Sequence, residues 1–183
     1  MLIFMFGCLI ALLIGLYGIY VGLITKKNKV LEAFSGIDVQ LKKRYDLMPN
    51  IIALAKGYMA HEKQIFERIT ELRTQALAVP KELENAGTKF KLDAEIKGLM
   101  KDLLVSVENY PELKANQTMI KAMNTYTDVE DHIAAARRFY NSAVNELNNA
   151  VEIFPSSVVA SWLGIKKQEF FQAEGYERQA INL

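Results

Sequence analysis

The sequence predicts an all-α membrane protein. An N-terminal transmembrane helix continues into an elongated antiparallel bundle of long, heptad-patterned helices, four-helix-like in plan. Three observations predict this. Residues 2–24, LIFMFGCLIALLIGLYGIYVGLI, contain no Asp, Glu, Lys, Arg or His. Behind them, apolar residues recur at helical spacing almost to the end of the chain. Alternating Val/Ile/Thr runs bounded by turn dipeptides, the usual sign of strands, are almost absent.

The first element, residues 1–25, reads as a retained membrane anchor. A bilayer core is about 30 Å thick and takes about 20 helical residues to cross. A cleaved signal peptide would need a basic start, a shorter apolar core and a small-x-small cleavage site; no Lys or Arg precedes the run. A lipoprotein reading would place Cys8 as the acylated residue, with Gly7 before it, but the leader is almost nil. As the sole cysteine, Cys8 allows no intrachain disulfide and no cysteine zinc site. Lys26, Lys27, Lys29, Lys42, Lys43 and Arg44 follow the span, and nothing basic but the amino terminus precedes it. The positive-inside rule then puts the N-terminus outside and the bundle in the cytoplasm. Gly18 and Gly22 form a small-xxx-small pair, with Gly15 seven residues before Gly22. Such spacing permits close packing of membrane helices; ordinary glycine usage in such helices is the alternative.

Residues 26–171 form the expected bundle domain, and 172–183 a tail. Val30, Phe34, Ile37, Leu41, Tyr45, Leu54, Tyr58, Ile65, Ile69, Leu72 and Ala76 keep a helical register from Lys26 to about Val79. Only Pro49 interrupts it. A proline inside a helix removes one hydrogen bond and crowds the carbonyl four residues back, here that of Tyr45. The expectation is a kink or break near Leu47–Asn50, with Asp46 capping a restarted helix. Pro80 ends this run, and Glu84–Thr88 reads as a turn. A second helix is expected from Lys89 to Glu108 on Phe90, Leu92, Ile96, Leu99, Leu103, Leu104 and Val107. After the Asn109-Tyr110-Pro111 corner, a long helix runs from Glu112 or Asn116 to Phe154. Its seam, Met119, Met123, Tyr126, Glu130, Ile133, Arg137, Tyr140, Val144, Leu147, Val151 and Phe154, alternates steps of four and three. Ala122, Val129, Ala136, Phe139, Ala143 and Ala150 widen it.

The 22 basic and 21 acidic residues nearly cancel. That balance argues against nucleic acid as a partner, which calls for a clustered basic face.

Several motifs resemble those of one family. Ala33-Phe34-Ser35-Gly36-Ile37-Asp38-Val39-Gln40-Leu41-Lys42-Lys43-Arg44-Tyr45-Asp46-Leu47-Met48-Pro49-Asn50 looks like the signature of the LemA family. So do Gly57-Tyr58 with His61-Glu62, the run from Glu108 to Asn116, Ala136-Arg137-Arg138-Phe139-Tyr140-Asn141, and Phe154-Pro155-Ser156. They keep family order from Lys26 to about Phe171. The resemblance implies a bacterial protein of the cytoplasmic (inner) membrane, with one N-terminal membrane helix and a helical-bundle domain. It implies no known reaction. A magnetosome-associated member suggests a membrane-organising role. The Glu84–Phe90 turn and the tail Gln172–Leu183 match no family pattern.

Catalytic constellations do not emerge. His61-Glu62 fails as a zincin motif because Ile65 stands where the second His belongs. A di-metal bundle needs Glu-x-x-His on two inward faces, but Val129 and Tyr58 precede His132 and His61 by three. Asp128 and His132 read as a solvated surface pair, and no phosphate loop or nucleophile elbow is present. No metal, cofactor or catalytic residue is therefore expected, and the chain reads as a non-enzyme.

Two groups remain as candidate sites. Glu130 and Arg137 occupy seam positions one heptad apart, with Asp38, Arg44 or Arg68 as opposite charges on the preceding run. Buried polar residues at a seam fix register and partner choice; the alternative is that both side chains snorkel outward. After Pro155, Val158, Val159, Trp162, Leu163, Phe170 and Phe171 form a candidate interaction patch. A short helix folding back onto the bundle would bury it; left exposed, it marks a partner or a membrane surface.

The functional expectation is a non-enzymatic scaffold, homo-oligomeric, bound to the lipid bilayer and organising membrane or other membrane proteins. The rival is an adaptor or sensor binding a peptide or a membrane protein in its bundle groove.

Overall fold

The computed structural model describes residues 1–59 and 61–171; the tail from Gln172 on lies outside the described residues. The described chain is all-α. Its elements are α1 (Leu2–Lys56), α2 (Lys63–Ala78), a 3-10 turn (Leu83–Asn85), α3 (Ala86–Val107), α4 (Pro111–Lys114), α5 (Gln117–Glu152) and α6 (Ser156–Trp162). No strand occurs among the described residues.

α1 runs 55 residues without interruption, so the apolar span and the first bundle helix are one helix. Pro49 lies inside it, and the expected break near Leu47–Asn50 does not occur. The reason is local. Pro49 cannot donate to the Tyr45 carbonyl, and Arg73 Nε from α2 donates to that carbonyl instead, at 2.6 Å. A guanidinium N–H thus replaces the missing amide, and the backbone stays helical. Asp46 caps nothing; it pairs with Lys42 at 2.5 Å. The break falls at Gly57, the poorest helix former short of proline. Tyr58 and Met59 amides both donate to the Ala55 carbonyl, and Met59 is buried as the chain turns.

The core register beyond Pro49 also differs from expectation. Met48, Ile51, Ile52 and Ala55 are buried, while Tyr58 is exposed and Leu54 only half-buried. The buried positions continue the four-three alternation of Val30, Phe34, Ile37, Leu41 and Arg44 without a slip, because the helix never restarts.

The long third helix begins in two pieces. α4 carries Pro111 at its first position, where the missing N–H has no helical partner to lose. α5 is capped by Asn116, whose Oδ1 accepts from the amides of Thr118 (2.9 Å) and Met119 (3.2 Å). This is the usual N-cap geometry. Most of the α5 seam is covered: Met119, Tyr126, Ile133, Tyr140, Val144 and Leu147 are buried. Phe139 and Phe154, expected on its packed faces, are instead exposed.

The described residues divide into two compact units, and the boundaries fall inside α1 and α5. The first comprises Met1–Phe34 and Arg138–Phe170. Its core includes Leu23, Val30, Phe34, Tyr140, Val144, Leu147, Val159 and Ala160. Lys29 Nζ donates to Glu146 Oε1 at 2.7 Å, and Lys26 approaches the same carboxylate at 3.8 Å. The Lys29 hydrogen bond holds the Glu146 carboxyl below its ordinary range. The pair's contribution is therefore present above that range and fades as pH falls through the lowered pKa. α6 ends in a Schellman turn: Gly164 takes φ 64°, and the Ile165 and Gly164 amides donate to the Ala160 and Ser161 carbonyls. The chain then runs back along α5. Asn148 exchanges two hydrogen bonds with the Gln168 backbone, and Tyr140 Oη donates to the Glu169 carbonyl at 2.9 Å.

The second unit comprises Ser35–Arg137 with Phe171. α2 packs on α3, with Ile69, Leu72, Ile96, Met100 and Leu103 among its fully buried side chains. Arg68 links the two helices through Glu95 at 3.3 Å. Phe90 stacks on Phe171, with ring centroids 4.0 Å apart.

Candidate functional site

The second unit contains a buried ionic layer. Three helices contribute charged residues to it from seam positions that would otherwise be apolar. On α1 the alternation Ile37, Leu41, Arg44, Met48, Ile51 puts Arg44 in the core, fully buried. On α3 the alternation Lys89, Asp93, Ile96, Met100, Leu103, Val107 is buried throughout. On α5 Glu130 sits between Tyr126 and Ile133. The three charges meet: Arg44 pairs with Asp93, and its Nη1 donates to Glu130 Oε1 at 2.5 Å. Tyr45 Oη donates to Asp93 Oδ1 at 3.2 Å. Burial is the main reason that the Tyr45 phenol is pushed up to about 12, so it remains a donor at any physiological pH.

A second ion pair lies one turn away along α3. Lys89, buried, reaches Asp38, and Lys81 approaches the other oxygen of Asp38 at 3.4 Å. Asp38 therefore belongs to a different pair from Arg44. The Arg137 guanidinium lies over the Phe171 ring, 5.9 Å from the centroid. Glu130 and Arg44 come together, Asp38 pairs with lysines, and Arg137 sits at the edge of the unit's aromatic pair. Arg68 is exposed and serves Glu71 and Glu95.

Asp93 and Lys89 were missed by the sequence reading. The register Lys89–Asp93–Ile96–Met100–Leu103–Val107 holds the signal, since both charges lie in the same four-three alternation as the buried apolar residues. A reading that follows the apolar residues alone shares Ile96, Leu103 and Val107 with this register but takes in Phe90, Leu92 and Leu99 on its flanks and passes over the two charges.

Next to this layer, α3 and α5 border an open groove of about 370 Å³. It is lined by Lys97, Lys101, Leu104, Val105 and Glu108 on one side, and by Met123, Tyr126 and Glu130 on the other. The Tyr126 hydroxyl is buried beside Arg44 and Glu130, and burial raises its pKa above the ordinary phenol value. Among the described residues no cluster of three or more His, Cys, Asp or Glu side chains is placed to hold a metal.

The candidate patch after Pro155 divides by burial. Val159 and Phe171 are buried, whereas Val158, Trp162, Leu163 and Phe170 are exposed, as are Ile153 and Phe154 just before it. In the span, a Cβ added at Gly15, Gly18 or Gly22 would meet nothing within 4 Å, so that face of the helix is open.

An apolar, exposed N-terminal helix long enough to cross a bilayer, continuous with a helical bundle, defines the class: a membrane protein with a helical-bundle domain. The family follows from comparison with known proteins. The model of the LemA family matches residues 33–183, and the chain belongs to that family. It is similar to Protein LemA of Metamycoplasma hominis, 27% identical over 184 residues, covering 98% of this chain and 83% of the relative. It is also similar to Magnetosome protein MamQ 2 of Paramagnetospirillum magneticum, 26% identical over 160 residues, 75% of this chain. The match spans 59% of that relative's length. Magnetosome protein MamQ of Magnetospirillum gryphiswaldense is 24% identical over 185 residues, covering 89% of this chain and 68% of that protein.

Proposed function

We propose that this chain is a non-enzymatic, membrane-anchored scaffold that self-associates and organises membrane or membrane proteins. It sits in the bacterial inner membrane as a single-pass protein with its bundle in the cytoplasm. The observation that carries this reading is the unbroken α1. A bundle joined to its span by one helix cannot swivel freely, so assembly of the bundles orients the spans, and assembly of the spans orients the bundles. Orientation passed between protein and bilayer in this way is what a scaffold needs. The open glycine face of the span and the basic residues behind it support the anchoring half. The magnetosome relatives, named for a membrane compartment, support the organising half.

A second reading has its own observation. The open groove between α3 and α5, with Leu104, Val105 and Met123 among charged side chains, suits an adaptor that holds a peptide or a segment of a membrane protein. Mass determination of the detergent-solubilised full-length protein by light scattering separates the two. The scaffold reading predicts a defined homo-oligomer, and Gly18→Leu with Gly22→Leu reduces its assembled fraction. A strict monomer at all concentrations contradicts the scaffold and favours the adaptor.

A further inference from the structure

We propose that α6 and the residues flanking it form a second membrane contact, lying in the interfacial zone of the leaflet that faces the bundle. Trp162 and Phe154 would be its anchors. This deepens the anchored reading above and rests on it.

The argument is one of level within the first unit. Phe34 faces Tyr140, with ring centroids 6.3 Å apart, and Lys29 pairs with Glu146. Going back five residues along α1 is thus matched by going forward six along α5, so the two run antiparallel here. Glu152, the end of α5, lies six residues past Glu146, or about 9 Å further toward the span at 1.5 Å per residue. That brings it level with Leu23, inside the apolar run. Leu23 is buried accordingly, and Leu16 and Ile19 are partly covered. α6 begins four residues after Glu152, at the level where a membrane-spanning α1 would leave the bilayer.

The side chains presented there suit an interface. α6 turns Val159 and Ala160 inward, while Trp162 is 77% exposed, Phe154 78% and Ile153 60%. In water such a cluster would be an apolar liability; at the headgroup level, aromatic rings are favoured. Tyr17 and Tyr20 are exposed in the last turns of the span, and tyrosine is a ring favoured at the headgroup level. Lys27 and Lys166 are exposed and can meet anionic headgroups while their stems lie along apolar surface; Lys167 pairs with Glu152 at the end of α5. A short amphipathic segment of this kind lies in the interface plane and does not span. The consequence is a two-point attachment that fixes the tilt of α1.

Trp162 is the only tryptophan, so the natural chain reports on itself. The full-length protein is reconstituted in phosphatidylcholine–phosphatidylglycerol vesicles, with bromines placed near the headgroup end of the acyl chains in a parallel set. Flotation reports insertion of the anchor separately. The proposal predicts that floated protein shows blue-shifted Trp162 emission and loses most of it in the brominated vesicles. Ile153→Ser with Phe154→Ser should restore part of the lost emission without changing flotation. Floated protein whose emission is water-like and unquenched overturns the proposal and leaves the anchor standing. Blue-shifted but unquenched emission also overturns it, because protein would then be covering Trp162. Failure to float removes the anchored reading and this proposal with it.

Discussion

Replacing Arg44 by Met is expected to destabilise the fold by about 3–5 kcal/mol, the range for removing one partner of a buried ion pair. The guanidinium is wholly buried, and it is the cation that faces both Asp93 and Glu130. Asp93 is 3% exposed, so water cannot take over when the cation goes. Tyr45 would still donate to it, but one phenol does not balance a buried charge. Replacing the whole layer should behave differently. Arg44→Met with Asp93→Leu and Glu130→Leu leaves no orphan charge, and such exchanges are often neutral or stabilising by about 1–4 kcal/mol. Urea unfolding followed by circular dichroism, in the detergent that keeps the full chain soluble, measures both. A loss below about 1 kcal/mol for Arg44→Met, the value of an exposed pair, would show that water reaches the layer. If the triple variant is stable but assembles differently, the layer's role is to specify the register in which helices meet.

Arg73→Met should cost about 1–3 kcal/mol, the penalty of leaving a buried backbone carbonyl unsatisfied. The loss should be conditional on Pro49. In the Pro49→Ala background the amide at position 49 donates to the Tyr45 carbonyl in the ordinary helical way, and Arg73 becomes dispensable there. A double-mutant cycle on the same unfolding assay should therefore give a coupling of about 1 kcal/mol or more between two residues on different helices. Additive losses would mean that the Arg73 hydrogen bond does not replace the proline's missing donor.

The same pair of residues shows why the sequence reading went astray at Pro49. The cost of a helix-interior proline is local and legible. Its remedy lies in Arg73, 28 residues from the Tyr45 carbonyl, and no local rule points there. With the break placed at Pro49, the register beyond it slipped to Leu54 and Tyr58, although Ile51 and Ala55 continue the original alternation. By contrast, the α5 seam was legible because its four-three alternation runs long enough to average out single exceptions. Glu130 was legible as a polar residue at a seam position for the same reason, and Arg44 as an opposite charge on the first helix. Asp93 was not, because α3 carries apolar residues on several faces and offers two competing registers. What separates them is burial of Lys89 and Asp93, a property of neighbours brought in from α1 and α5. The exposed aromatics near α6 were visible as a cluster, but their level beside the span depends on the Lys29–Glu146 pairing between distant segments.

The functional reading rests on α1 being unbroken from the span into the bundle, and hydrogen exchange tests this most directly. Full-length protein in lipid nanodiscs is exposed to deuterated buffer, and the amides from Ile24 to Val30 are followed at residue resolution. These residues lie where the apolar run gives way to the lysines. A continuous helix predicts protection there equal to that of the α1 residues in the bundle, with no fast-exchanging gap. Exchange at the rate of unstructured chain across Thr25–Lys29 would reveal a hinge, and would contradict the claim that the span and the first bundle helix are one helix.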